Sequence, residues 1–273
     1  LSSAFSQEKG IYINMTTMRN KVKLLHFIHE AAKTGINAFV IDYPYYDATY
    51  AQNIKLVKQN HLQYVARIVV FPGGGTPKLV HSRSYWLQRA KLITGAVNLG
   101  ANAIQLDYIR YNTKQSKSAK NIADIKQVIR YYKDYVDQYH LPLQIDVFGV
   151  AAHGPSYVIG QYLPAFASLV NVVCPMVYPS HYLPYVVNSK RPYQVIYKSL
   201  SALKSLFSGR PPFAVLPYLE AVNPRYKMAF PQLVTYIQQE IKAAEDAKSN
   251  GWYFWSGSND YEALFAALTP AHQ

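Results

Sequence analysis

Four carboxylates and an arginine stand at matching places in strand-like apolar runs. Asp42 closes Ala38-Phe-Val-Ile-Asp42, Asp107 closes Ala103-Ile-Gln-Leu-Asp107, Asp146 follows Leu143-Gln-Ile, and Glu220 ends the run that starts at Phe213. Arg67 shares a face with Val65 and Val69. Alternate side chains of a strand point the same way, so Gln105 and Asp107 lie together, opposite Ile104, Leu106 and Tyr108. A carboxylate on the buried face of such a strand is costly unless it is paired, drawn to solvent at the strand end, or used. Hydrolysis of a glycosidic bond uses two carboxyl groups, one to protonate the leaving oxygen and one to attack or to activate water. Asp107 is thus a candidate nucleophile or base, with Asp146 or Glu220 as the acid. Plainer roles compete: Asp42 and Arg67 could form a buried ion pair, and Asp146 could bond to backbone amides.

Aromatic side chains suit the walls of such a site, because they offer a flat apolar face and often a polar tip. The chain has 25 Tyr, 11 Phe and 3 Trp. Those at or just beyond strand ends are the candidate sugar contacts: Tyr178, Tyr182, Tyr218, Trp252 and Trp255, with His181, Asp42 and Arg67 beside them. Trp252 and Trp255 fall on opposite faces of their run.

Other chemistries fit less well. His26 and His29 do not make His-Glu-x-x-His, and no three metal ligands converge, so neither metal nor cofactor is expected. No Gly-x-Ser-x-Gly elbow occurs. The cluster Phe71-Pro-Gly-Gly-Gly75 lacks the Lys-Ser/Thr ending of a phosphate loop and reads as a flexible turn. Cys174, the single cysteine, allows no internal disulfide and reads as a small buried hydrophobe.

To bring these side chains together, their strands must share one sheet. Eight strand-like segments, at 10–15, 38–43, 64–71, 103–109, 143–149, 172–178, 213–220 and 251–255, are separated by helix-length stretches. Helices are expected at 21–33, 85–99, 121–139, 193–206 and 231–248, and Gly35, Gly100 and Gly251 mark stops before the next strand. The pattern fits a (β/α)8 TIM barrel, an α/β fold whose active sites lie at the carboxyl ends of the strands. An open doubly wound sheet would carry a Gly-rich fingerprint after its first strand, and there is none. At 273 residues, one domain over the whole chain is expected.

The net charge is +13, from 28 Lys and Arg against 15 Asp and Glu. It would attract an anionic polymer, yet the basic residues are scattered, which speaks for a solvated surface and against a nucleic-acid module. No run is long and apolar enough for a membrane span. The start, residues 1–6, has no signal-peptide pattern and reads as a stub that could remain after one is removed. The expectation is a monomer acting on a carbohydrate polymer or oligosaccharide, outside the cell or in its envelope.

Several blocks carry a family likeness. "IQLDYIRYN", "IDVFGVAAHG", "YVIGQYL", "CPMVYPSHY" and "RPYQVIYKSL" occur in that order, with "GIYIN", "NAFVIDY", "YVARIVVF" and "GWYFWSGSNDY" around them. The chain resembles a bacterial family assigned to glycoside hydrolysis, a TIM-barrel domain of unknown function distantly similar to the α-amylase class. The resemblance spans nearly the whole chain and implies a (β/α)8 fold with carbohydrate chemistry. It places Asp107, Tyr108 and Arg110 in the family's Phe-Asp-Tyr-Ile-Arg-Phe-Pro block, which adds Tyr108 and Arg110 to the substrate-binding candidates, and Asp146 in its Asp-Val-Phe-Gly block. Departures are Leu106 for Phe, Tyr111-Asn112 for Phe-Pro, and Ala221 where the family has an acidic residue. Glu220, next to it, stands where glutamine is usual. A non-catalytic carbohydrate-binding barrel is the alternative those departures keep open.

Overall fold

Short runs rich in Val, Ile, Tyr and Phe form strands buried on both faces, as parallel strands under a helical layer must be. The computed structural model describes residues 7–269, so the segment 1–6 discussed above lies outside the described residues. The strands are β1 (Glu8–Ile13), β2 (Ala38–Asp42), β3 (Gln63–Val69), β4 (Ala103–Asp107), β5 (Leu143–Phe148), β6 (Val172–Met176), β7 (Ala214–Val215), β8 (Tyr218–Glu220) and β9 (Gly251–Trp255). All pairings are parallel. The order β5-β4-β3-β2-β1-β9-β8-β6, closed by β5 against β6, makes a barrel. β7 and β8 both pair with β6 and fill one barrel position between them. The expected single strand over 213–220 is therefore broken at Leu216-Pro217, where proline has no N–H for a ladder. The fold is a (β/α)8 TIM barrel.

Helices fall close to their expected places, at Lys21–Thr34, Arg83–Asn98, Ala119–Asp137, Pro192–Ser205 and Phe230–Asp246. Side-chain caps start several of them: Asn20 accepts from Lys23 N–H, Ser82 from Tyr85 N–H and Ser118 from Lys120 N–H. Two more helices, Ala48–Gln59 and Glu262–Leu268, complete the layer. Between β5 and β6 no long helix forms. A 3₁₀ turn at Gly149–Ala152 and one turn at Leu163–Phe166 replace it, in a stretch broken by Gly154, Pro155, Gly160 and Pro164. That loop is free to wall the barrel mouth.

Alternation sorts two cores. Ile104, Leu106, Ile145, Trp252 and Phe254 face the helices, whereas Val40, Val65, Ala103, Cys174, Tyr218 and Tyr253 fill the barrel. The interior is partly polar: Tyr218 donates to Gln105 Oε1 at 2.8 Å, Gln105 Nε2 to Gln144 Oε1 at 3.0 Å, and Tyr253 to Gln144 Oε1 at 3.1 Å. Each buried group there has a partner, which a tightly packed interior requires. The first two bonds also hold Gln105 in place below the strand-end Asp107.

Candidate active site

The ends of β2, β3, β4 and β5 meet around one guanidinium. Register puts Asp42 beside Arg67 across β2 and β3, and β4 brings Asp107 to the other side. Arg67 donates from Nη1 to Asp42 and from Nη2 to Asp107, and its Nε stands 3.8 Å from Asp146 Oδ2. Tyr12 adds a 2.5 Å bond to Asp42. Burial disfavours the Arg67 charge, but Asp107, Asp42 and Asp146 together outweigh it and hold the guanidinium firmly protonated. The suggested Asp42–Arg67 pair exists, as one part of this larger cluster.

The two central carboxyl groups sit in different surroundings. Asp107 accepts from Arg67 and from the backbone N–H of Tyr108 at 2.5 Å. Tyr108 takes φ +53°, a left-handed conformation uncommon for a non-glycine residue and frequent at functional sites. Asp146 is only 2% exposed. Burial first, and then the Asp107 charge, push its pKa well above the usual carboxylate range, with Arg67 pulling the other way. Its oxygens stand 3.2 and 3.3 Å from the Gln105 amide atom that meets the Tyr218 hydroxyl. With Oε1 there, accepting from Tyr218, a protonated Asp146 can donate to it and an ionised one cannot. The reverse amide orientation would set the Gln105 oxygen against Gln144 Oε1 at 3.0 Å.

Above the cluster opens a cavity of about 870 Å3. Arg67, Asp107, Tyr108, Arg110, Asp146, Tyr178, His181, Tyr182, Tyr218 and Trp255, all expected at the site, line it. Tyr178 packs at 5.6 Å from Trp255 and edge-on to His181 at 5.3 Å. Burial, with Arg225 nearby, lowers the His181 pKa and favours the neutral ring. Tyr182 reaches across to Gly149, where a Cβ would lie 2.0 Å from its hydroxyl, so only glycine admits this contact.

Three expectations change. Trp252 has no exposed surface and packs with Phe254 in the helix-facing core; alternation turns it away from the mouth that Trp255 reaches. Asp42 does not line the cavity and acts on it through Arg67. Glu220, 2% exposed, is also outside it. Its carboxyl accepts from Ser180 N–H at 3.1 Å, Ser180 Oγ at 2.6 Å and Tyr236 at 2.7 Å. Glu240, fully buried on the helix Phe230–Asp246, accepts from the Glu220 N–H at 3.3 Å, while its Oε2 has no partner among the described residues. Burial pushes Glu220 up to about 7, against the pull of its hydrogen bonds, and raises Glu240 well above the ordinary range.

Comparison with known proteins agrees with this architecture. The family model described as "Putative glycosyl hydrolase domain" matches residues 76–261, more than half of the chain. The chain belongs to this family. It is accordingly a glycoside hydrolase by class. Among solved structures it is similar to the spore cortex-lytic enzyme SleL of Bacillus cereus, with TM-score 0.69 and 11% identity over 98% of this chain and 75% of that one. The SleL of Bacillus megaterium gives 0.68 and 10%, over 98% and 74%. A chitinase of Chromobacterium violaceum gives 0.63 and 12%, over 95% and 98%. At such identities the likeness shows the shared barrel fold. No match was found among curated proteins. Among the described residues of this glycosyl hydrolase, no helix is long and apolar enough to cross a membrane.

Sequence reasoning missed several cavity residues: Tyr12 from β1, Phe148 at the end of β5, Val150 and His153 after it, and Leu183 and Tyr185 after β6. Tyr12 was legible, being on the same face as Gly10 in β1. The others sit at a strand end, in single helical turns or on loops, too short for a period to follow.

Proposed function

We propose that this glycosyl hydrolase cleaves a polysaccharide by a two-carboxylate mechanism, with Asp107 as nucleophile and Asp146 as general acid. One observation carries the reading: the same guanidinium grips Asp107 and nearly touches Asp146, while burial and the Asp107 charge raise the proton affinity of Asp146. An anion and an acid side by side are what the two halves of the reaction need. Sharing the Nε–Nη2 edge of Arg67 favours the short carboxyl separation, about 5 to 5.5 Å, of retaining enzymes. Asp107 would attack the anomeric carbon as Asp146 gives its proton to the leaving oxygen. Asp146, then ionised, would take a proton from the water that releases the sugar. Arg67 would hold Asp107 in place and accommodate the transient charge on Asp146. Tyr178, Tyr182 and Trp255 would stack on sugar rings along the wall. The names of the structural neighbours, chitinases and cortex-lytic enzymes, support a structural polysaccharide as substrate.

The test is release of reducing ends from a panel of neutral, amino-sugar and acidic polysaccharides by wild type, Asp107→Asn and Asp146→Asn. Turnover by the wild type and its near-abolition in both variants is the expected result. Saturable glycan binding with no turnover on any polymer would instead mark a non-catalytic carbohydrate-binding barrel.

A further inference from the structure

Arg67 is neutralised by carboxylates; the second arginine of the cavity is not. Arg110 is 7% exposed and lines the cavity, yet no carboxylate lies within ion-pair distance of it among the described residues. Its guanidinium carbon stands 5.0 Å from the Tyr108 ring centre and 4.5 Å from that of Phe148. Among those residues its one side-chain hydrogen bond runs from Nη1 to the Tyr111 carbonyl at 2.9 Å, and its Nε is buried with no partner. Burial accordingly lowers its pKa, with Tyr108 and Asp107 acting the other way. A buried cation held by two aromatic faces and one carbonyl is under-compensated.

The surroundings hold it there. The backbone N–H of Gly75 donates to the Arg110 carbonyl at 2.8 Å. Gly74, at φ +97°, lies so close that a Cβ would stand 2.5 Å from Nη1 and 2.7 Å from the Asn112 Cα. The glycine cluster that reads as a flexible turn is thus a close-fitting cradle for this arginine. Such pre-organisation reduces the ordering cost when an anion arrives.

We propose that Arg110 makes the cavity selective for a glycan bearing an anionic substituent, a carboxylate or sulfate ester, on a sugar next to the cleavage point. This rests on the glycosidase reading for the place of cleavage, but the selectivity can be measured without turnover. The anionic group would lie on the Tyr108–Phe148 side, and a neutral ring would lie over Asp107 and Asp146. Charge complementarity of this kind discriminates, because a neutral sugar leaves Arg110 uncompensated.

Equilibrium binding by calorimetry decides it. The ligands are a hexasaccharide in which uronic acids alternate with neutral sugars, the same hexasaccharide after carboxyl reduction, and the reduced form sulfated at the former carboxyl positions. The wild type should bind at least one anionic form about tenfold more tightly than the neutral one, the scale of one charge-assisted hydrogen bond. Arg110→Met should bring the ratio close to one with neutral binding retained, and Arg110→Lys should restore part of it. The preference should persist at about 0.3 M salt, where attraction to the scattered surface charge is screened. Equal binding of all three ligands, binding of none, a preference lost in salt, or one that survives in Arg110→Met overturns the proposal. If Arg110→Met does not fold, a ratio unchanged in folded Arg110→Gln overturns it equally. Binding selectivity with no cleavage would uphold this inference while sinking the catalytic one.

Discussion

Two pairs of acidic residues lie near the carboxyl end of the barrel, and they solve the burial of negative charge in opposite ways. Asp107 and Asp146 share a cation, Arg67, and open onto the cavity. Glu220 and Glu240 have no cation within ion-pair distance among the described residues and are closed off behind Ser180 and Tyr236. The first pair stays poised because the cation favours one anion while crowding and burial favour one acid. The second has its proton affinity raised by burial with no such cation to oppose it, only hydrogen bonds pulling the other way. Carboxylates counted along the sequence therefore do not identify a catalytic pair; the shared cation and the access do.

The sharpest way to break this contrast is Asp107→Asn. Turnover should fall by about 10^4-fold or more, the scale for loss of a nucleophile, with glycan affinity largely kept. The fold should persist, because Arg67 retains Asp42 as a partner. Near-wild-type turnover by reducing-end assay would falsify the mechanism.

Asp146→Asn comes next. Loss of a general acid should lower turnover by about 10^2 to 10^4-fold, with little change in the unfolding midpoint because Asn replaces a neutral group. In the wild type, the basic limb of kcat/KM against pH reports Asp146 and should lie above the ordinary carboxylate range, activity falling as pH rises and Asp146 ionises. A substrate with a good leaving group should recover much of the loss in the variant. Equal loss on every substrate would argue that Asp146 only positions Arg67.

The second pair should answer to stability and leave turnover alone. Glu220 has a folded pKa near 7 against 4.5 for the ordinary group, so the folded state binds the proton more tightly. Its contribution is full below about pH 4.5 and is lost as pH rises through about 7, by at most about 3 kcal/mol. Glu220→Gln should flatten that decline in unfolding free energy between pH 4.5 and 7, at a small constant cost for one lost acceptor. Turnover should stay within a few-fold. A collapse of kcat with unchanged stability would put Glu220 back in the chemistry.

The smallest effect separates the two tryptophans of β9. Trp255→Ala should weaken glycan binding by about tenfold, the scale of one aromatic contact, with the unfolding midpoint nearly unchanged. Trp252→Ala should do the reverse, costing about 3 to 5 kcal/mol of stability as a core cavity while any folded protein binds normally. Titration calorimetry and thermal unfolding on both variants would expose an exchange of these roles.

Much of this was written in the chain by itself. Period-two alternation turned Arg67, Asp107 and Asp146 inward, the spacing of helices and strands closed the barrel, and capping residues set where helices begin. These are local properties, fixed by backbone geometry and by which side chains tolerate burial. The tertiary structure decided what local pattern could not carry. Glu220 has the same strand-end position as Asp107, but Ser180, from the turn after β6, and Tyr236, from the helix that follows, sequester it. Arg67 pairs three ways only because register sets three strand ends around it. The segment after β5 is helix-length yet coils into the cavity wall, since its glycines and prolines leave loop packing to choose its path. The glycines at 73–75 look flexible in isolation, yet Gly74 and Gly75 become a fitted cradle once Arg110 packs against them. Charge, access and proton affinity arise from distances between residues far apart in sequence, and those distances exist only in the folded barrel.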